Sequence, residues 1–257
     1  MEETAITAPP RAKQGFHLTR EQVFFLFLAA AAVVARLIAW SWSPLLERDS
    51  VGYVNAAAVW AATGKYVTPQ FPPLPCFLIQ LLIRLGLEPE TAARLYAFLP
   101  GCLVPLMGYA VALESSGSRR VARYAAVLLL FHPMLLYFAA EPMRDSLYIL
   151  LAGGALWAGI RALRSRLIRC WLLFGCLCGL GWTCRHEMLE FLPLTVIGLV
   201  IEVWRKRYAW PRALLHFLIF IAVTGLLWFG ITLSLGGKTT FDAQSGPVKA
   251  HFRDFLE

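Results

Sequence analysis

The sequence predicts an all-α polytopic membrane protein with about seven transmembrane helices and juxtamembrane helices in its first outer loop. Three observations lead there. Apolar residues make up 58% of the 257-residue chain and charged residues only 16%, for a mean hydropathy of +0.60. Several apolar runs approach the roughly 20 residues needed to cross a bilayer core. The Lys and Arg residues behind the net charge of +8 gather in short clusters between those runs, which marks them as topology signals rather than a nucleic-acid surface.

The apolar segments fall at about 22–41, 74–87, 92–113, 121–139, 146–163, 170–184, 190–204 and 213–235. The second is the weak one. It follows Phe71-Pro72-Pro73-Leu74-Pro75 and is interrupted by Gln80 and Arg84. Apolar runs of about 10–14 residues suit an interfacial or re-entrant position better than a span. Charge tests the point. With 74–87 left out and the N-terminus in the cytoplasm, Arg119/Arg120/Arg123, Arg161/Arg164/Arg166/Arg169 and Arg205/Lys206/Arg207/Arg212 all fall in the cytoplasm. If 74–87 crossed, all three clusters would lie outside, against the positive-inside rule.

The chain therefore divides into a cytoplasmic tail (1–21), a transmembrane domain (22–235) with a first outer loop at 42–91, and an extracytoplasmic C-terminal segment (236–257). The tail carries Arg11, Lys13 and Arg20 and runs into the first span without a small-residue cleavage site, so an uncleaved first helix is expected. The long outer loop predicts two short helices, 50–63 stopped by Gly64 and 74–87, with Val51, Val54, Ala58 and Trp60-Ala61 at helical spacing. The six cysteines lie mostly in apolar runs and include no zinc-type CxxC pair, so they read as small hydrophobes.

This topology places three charged groups on one face of the membrane: Asp49, Glu141/Asp145 and Arg185/Glu187/Glu190. Acidic residues from three loops can then converge on one outward cavity. Charge beside hydrocarbon is costly, which makes each group a functional candidate. Each also has a plain structural role to weigh. Asp49 or Ser50 can cap the helix that begins near Val51, and position alone divides capping and catalysis evenly. Arg144 and Asp145 can be an ion pair that also starts the next helix, with Pro142 as the break. Alternatively, Glu141 and Asp145 beside Arg144 can position a polar substrate or a metal. Arg185 can snorkel to the surface or hold a phosphate through paired hydrogen bonds. His186 and Glu187, adjacent on a helix, do not share a face and make a poor metal pair. His132-Pro133 reads as a kinked, packed site, and Gly175, Gly179 and Gly181 as a surface for close helix approach.

In this order, these elements resemble the GT-C glycosyltransferase superfamily, in the branch of protein mannosyltransferases and lipid A aminoarabinose transferases. The matching stretches are Arg48-Asp49-Ser50-Val51-Gly52-Tyr53, Gly64-Lys65-Tyr66, Pro72-Pro73-Leu74, Glu141 through Tyr148 and Thr183 through Leu189, spread over about residues 22–235. Juxtamembrane helices in the first outer loop belong to that family's fold. His186 and Met188 stand where the family often has Pro and Gly. Family members usually have more spans and often a soluble outer domain, so a truncated or minimal member is expected.

The resemblance implies inverting transfer of a sugar from a polyprenyl-phosphate donor to a lipid, glycan or protein acceptor, on the outer side of the cell's inner (plasma) membrane. It implies Asp49, Asp145 and Glu141 as catalytic residues, with Arg185, Arg144, Glu187, Tyr53 and Lys65 binding substrate. The acidic groups suit a divalent metal as well as a metal-free route, and no metal ligand is named. The partners expected are the lipid-linked donor, the acceptor and membrane lipids, with no nucleic acid. Two other classes compete: an inactive or partner subunit of a longer glycosyltransferase, and a membrane transporter. Transporters usually carry internal repeats and ionisable residues near the midplane; here the charges collect at one membrane face.

Overall fold

The computed structural model describes residues 19–43, 45–68 and 70–235. Most of the expected tail and all of the C-terminal segment lie outside the described residues. Those described form ten α-helices and one 3-10 turn, with no strand among them.

Helix α1 (Arg20–Trp42) starts on a capping box in which Thr19 and Gln22 satisfy each other's backbone N–H groups. Two helices fill the first loop, as the sequence predicts: α2 (Arg48–Thr63) and α3 (Pro73–Arg84). Gly64 ends α2 at φ 70°, a left-handed conformation that glycine adopts without a Cβ penalty. The buried stripe of α2 is Ser50, Tyr53, Ala56, Ala57 and Trp60, whereas Val51 faces out. The apolar β-branched residues suggested a different face because, beside lipid, hydrophobicity no longer separates inside from outside.

Helix α4 (Pro89–Ser116) is the central post, packing against α1, α3, α5 (Arg119–Leu130), α6 (Pro133–Ala140) and α7 (Asp145–Ser165). Helices α5 and α6 occupy the predicted 121–139 segment, bent by 55° where Pro133 opens the second helix. The predicted kink is present, but His132 is exposed rather than packed. Helix α8 (Ile168–Trp182) lies between α7 and α10 (Trp210–Ser234). A Cβ on Gly175 would stand 3.1 Å from the Phe220 carbonyl oxygen, and one on Gly179 would stand 3.0 Å from that of Thr224. These two glycines thus set the α8–α10 spacing, while Gly181 faces Met188. The 3-10 turn His186–Glu190 leads into α9 (Phe191–Trp204).

Four helices (α1, α4, α7 and α10) are long and apolar enough to cross a membrane, and the bent α5–α6 pair makes a fifth if it counts as one span. Helices α8 and α9, with 15 and 14 residues, are shorter. Each of the seven segments expected to cross is helical.

Side-chain contacts sort the connections into two ends. At one end Glu21, in the first turn of α1, meets Arg123 of α5 at 2.5 Å, and Arg164 of α7 reaches Glu114 of α4 at 3.7 Å. Arg166, after α7, lies over the ring of Tyr208 between α9 and α10, 5.4 Å from its centroid. This end carries all three basic clusters. The other end gathers the α1–α2 connection, the α6–α7 connection and the segment after α8.

Candidate active site

At that second end, two charged clusters stand on elements far apart in sequence. The first is built around Glu141, where α6 stops. Its carboxylate is 1% exposed and accepts hydrogen bonds from the Ser43 hydroxyl, the Ser50 hydroxyl at 2.7 Å and the Glu47 N–H at 3.3 Å. A buried carboxylate is tolerable only when its lone pairs are satisfied in this way. Glu141 therefore ties the end of α6 to both sides of the α1–α2 connection. Arg94 of α4 reinforces the joint, donating to the Ser43 carbonyl and to Glu90, each at 2.8 Å. The resemblance implied a catalytic role for Glu141. In the fold its carboxylate is buried and met by three protein donors, which makes it a clamp, and the residue also lines a cavity between α1 and α6.

The clamp fixes the start of α2 and so places Asp49. Neither Asp49 nor Ser50 caps the helix. Glu47 occupies the cap position without a side-chain bond, Ser50 donates to Glu141, and Asp49 sits inside the first turn. The helix dipole favours a negative charge there. Asp49 is exposed, and its carboxylate makes no hydrogen bond or ion pair with any described residue. One turn on, Tyr53 shares its helix face. Tyr53 is buried, packs on Phe71 at 4.8 Å between ring centres, and belongs to a core with Trp60, Cys76, Tyr96 and Cys184. Burial raises its hydroxyl pKa, against the pull of the Arg144 charge. Tyr53, implied by the resemblance to bind substrate, thus lies in this core instead of at the surface of α2.

The second cluster joins α7 to the segment after α8. Arg185 donates to Asp145 at 2.5 Å and to Glu187 at 2.7 Å, while its guanidinium lies 5.3 Å from the centre of the Tyr148 ring. This arginine is held by two carboxylates and an aromatic face, half-buried at a helix end, and is not merely snorkelling. Burial works to lower the Arg185 pKa, but the Glu187 hydrogen bond and the Asp145 charge outweigh it and raise the value. The same hydrogen bond holds Glu187 below its usual range. Arg144, N-cap of α7, makes no ion pair with Asp145 or with any other described carboxylate; its charge reaches Tyr53, Cys184 and Glu187 instead. Asp145 has thus exchanged its sequence neighbour for a partner 40 residues away.

Two cavities are lined by residues of this end. Glu47 and Glu141 line one of them, and neither of the two is lined by Asp49, Asp145 or Arg185, so these cavities do not join the three loops as the sequence expected. One, of about 760 Å³, is lined by Lys65 and the apolar side chains of Trp60, Leu74, Phe77, Leu180 and Ile231. The other, of about 620 Å³, runs between α1 and α6 beneath Glu47. Among the described residues, no three of His, Cys, Asp and Glu are grouped to hold a metal ion.

A family profile described as dolichyl-phosphate-mannose-protein mannosyltransferase matches residues 70–228, more than half of the chain. The chain belongs to this mannosyltransferase family. It is accordingly a membrane glycosyltransferase of the GT-C type, as the motif order implied. No curated protein matches it. The family match takes in Glu141, Arg144, Asp145, Arg185 and Glu187, while Asp49, Tyr53 and Lys65 precede it. In this mannosyltransferase-family chain, then, the Glu141 clamp joins the matched body to the helix that carries Asp49. Sequence reasoning missed Ser43 and Arg94 and read Ser50 only as a helix cap; their parts in the joint appear only when α2 and α6 meet.

Proposed function

We propose that the protein transfers a sugar from a polyprenyl-phosphate donor to an acceptor hydroxyl at the extracytoplasmic membrane face, inverting the anomeric centre. The observation that carries this reading is the gathering of the α2 start, Asp145 and Arg185 at the end opposite the basic clusters. The positive-inside rule assigns the basic end, and with it the N-terminus, to the cytoplasm.

In this reaction the acceptor oxygen attacks the anomeric carbon, and its proton passes to the Asp49 carboxylate. An exposed carboxylate with no described partner is free to take that proton. The bond from sugar to phosphate oxygen breaks, and the electron pair leaves with the polyprenyl phosphate. Its growing negative charge calls for fixed cations rather than an acid. Arg185 supplies one, held in place by Asp145 and Glu187. Arg144, unpaired among the described residues, supplies a second. The isoprenoid chain suits the 760 Å³ apolar cavity, with Lys65 on its wall to meet the phosphate.

The test is transfer from a polyprenyl-phosphate-linked radiolabelled sugar by the purified chain in nanodiscs, across a panel of sugars and of lipid, glycan and peptide acceptors. Asp49→Asn is expected to cut transfer about 10²- to 10⁴-fold, the usual contribution of a general base. Full activity in that variant would remove Asp49 from the mechanism.

A further inference from the structure

Arg36 is fully buried in the second half of α1, within a membrane-spanning helix, and has no carboxylate partner among the described residues. Such a charge is costly to keep unless it does something. Its terminal nitrogens point across to α5, where one donates to the Leu130 carbonyl at 2.9 Å and the other lies 3.5 Å from that of Leu129. These are the last residues of α5, at the break before Pro133. A helix that ends inside the membrane leaves its final carbonyls unsatisfied, and no water is there to take them. Arg36 meets both needs: it hydrogen-bonds the freed carbonyls and places its charge at the negative end of the α5 dipole. Its Nε has no partner, so those carbonyls are its principal anchors.

We propose that Arg36 is a positioning residue for the transfer reaction, fixing the α5–α6 break and, through it, the helix that presents Asp49. The path is short and continuous. The break sets the direction of α6, whose eight residues end at Glu141. Glu141 clamps Ser43, Glu47 and Ser50, and Asp49 lies between the last two, in the first turn of α2. Arg36 lies about 10 Å along α1 from its C-cap Ser43, counted at the rise of a helix. Helix α1 is therefore tied to the α5–α6 unit at both ends of that interval, by Arg36 to Leu130 and by Ser43 to Glu141. The two ties make α6 a braced strut instead of a free arm. The activity part of this proposal rests on the sugar-transfer reading above; the geometric part does not.

The test uses the full chain in nanodiscs with spin labels at Asn55→Cys on α2 and Met134→Cys on α6, both exposed positions, and with Cys176 changed to Ala. Pulsed electron resonance then reads the α2–α6 distance. The expected wild-type result is one narrow distribution. Arg36→Met is expected to broaden or split it, and to lower turnover about a hundred-fold, the scale of a displacement of about 1 Å at the reacting groups. Arg36→Lys, which keeps a charged donor, retains a single distribution and most of the turnover, whereas Arg36→Gln behaves like Arg36→Met. Should Arg36→Met fail to fold, the contrast between Lys and Gln carries the test. Thr224→Val removes another interior hydrogen bond, to the Gly175 carbonyl on the far side of the bundle, and leaves the distribution narrow. An unchanged distance in the Arg36→Met or Arg36→Gln variant, or equal broadening in Thr224→Val, overturns the proposal whatever the substrate is. A broadened distance with no measurable transfer in the wild-type chain upholds the geometry and counts against the sugar-transfer reading alone.

Discussion

The two ends of the bundle use the same residue types for different purposes. At the basic end, Arg119, Arg123, Arg164 and Arg207 pair with Glu21, Glu114 and Glu202; Arg119, Arg164 and Arg207 are exposed and Arg123 is partly exposed. Pairs of that kind are worth about 0–1 kcal/mol each. At the opposite end Glu187 and Asp49 stay at the surface, while Glu141 is 1% exposed and the Arg185 and Asp145 side chains are 26% and 15% exposed. Burial raises the cost of leaving any of these groups unmet, so the partners must be numerous and well aimed. The basic end is a topology signal with loose neutralisation, and the other end is a preorganised charge array. What separates them is the depth of the arginine in each array and of Glu141, since Glu21, Glu114 and Glu202 of the basic end are themselves only 23%, 22% and 17% exposed.

Removing Arg185 should break the comparison most. Arg185→Ala leaves Asp145 and Glu187 facing each other without their shared cation, and removes a fixed positive charge from the leaving phosphate. Transfer should fall about 10²- to 10³-fold, as when one aimed electrostatic group is lost from an active site. Steady-state kinetics with a labelled lipid-linked donor measures the loss. Arg185→Lys should recover only part of it, because an ammonium lacks the planar fork of donors and the stacking on Tyr148 that the guanidinium provides. Next in size is Glu141→Ala, which strands the Ser43 and Ser50 hydroxyls and the Glu47 N–H. Thermal denaturation should register a loss of about 3 kcal/mol, the scale of breaking buried charge-assisted hydrogen bonds. Glu141→Gln, which keeps one acceptor oxygen, should lose less.

Much of this arrangement was legible in the sequence, and what was not has a physical reason. Gly64 as the stop of α2, the Pro133 kink and the placement of three loops at one end all followed from local chemistry or from charge counted along the chain. The Glu141 clamp did not, because its Ser43 partner lies 98 positions away and Ser50 lies 91 away. Only the tertiary approach of α6 to α2 decides whether that carboxylate is buried or open. Asp145 read as the partner of adjacent Arg144, yet pairs with Arg185 because α7 and α8 run side by side from a turn at the opposite end. Arg36 left a signal, a lone charge within an apolar run, which locates an important residue without saying what it holds.

The pH response separates the two ends more finely. The Arg185 hydrogen bond holds the Glu187 pKa below the ordinary 4.5. A carboxylate with a lowered folded-state pKa adds stability that is complete above the unfolded value and fades as pH falls through the folded one. The melting-temperature difference between wild type and Glu187→Gln should thus stay flat from about pH 8 to pH 5, then shrink below the ordinary carboxylate range. The smallest effect belongs to the basic end. Glu202 meets Arg207 at 3.7 Å, and the arginine is exposed. Solvent already screens that pair, and two flexible side chains lose entropy to form it, so Glu202→Gln should change stability by under about 1 kcal/mol and leave turnover untouched. A loss comparable to that of Glu141→Ala would mean that exposure does not grade the charges of this bundle, and the contrast between its two ends would have to rest on something other than depth.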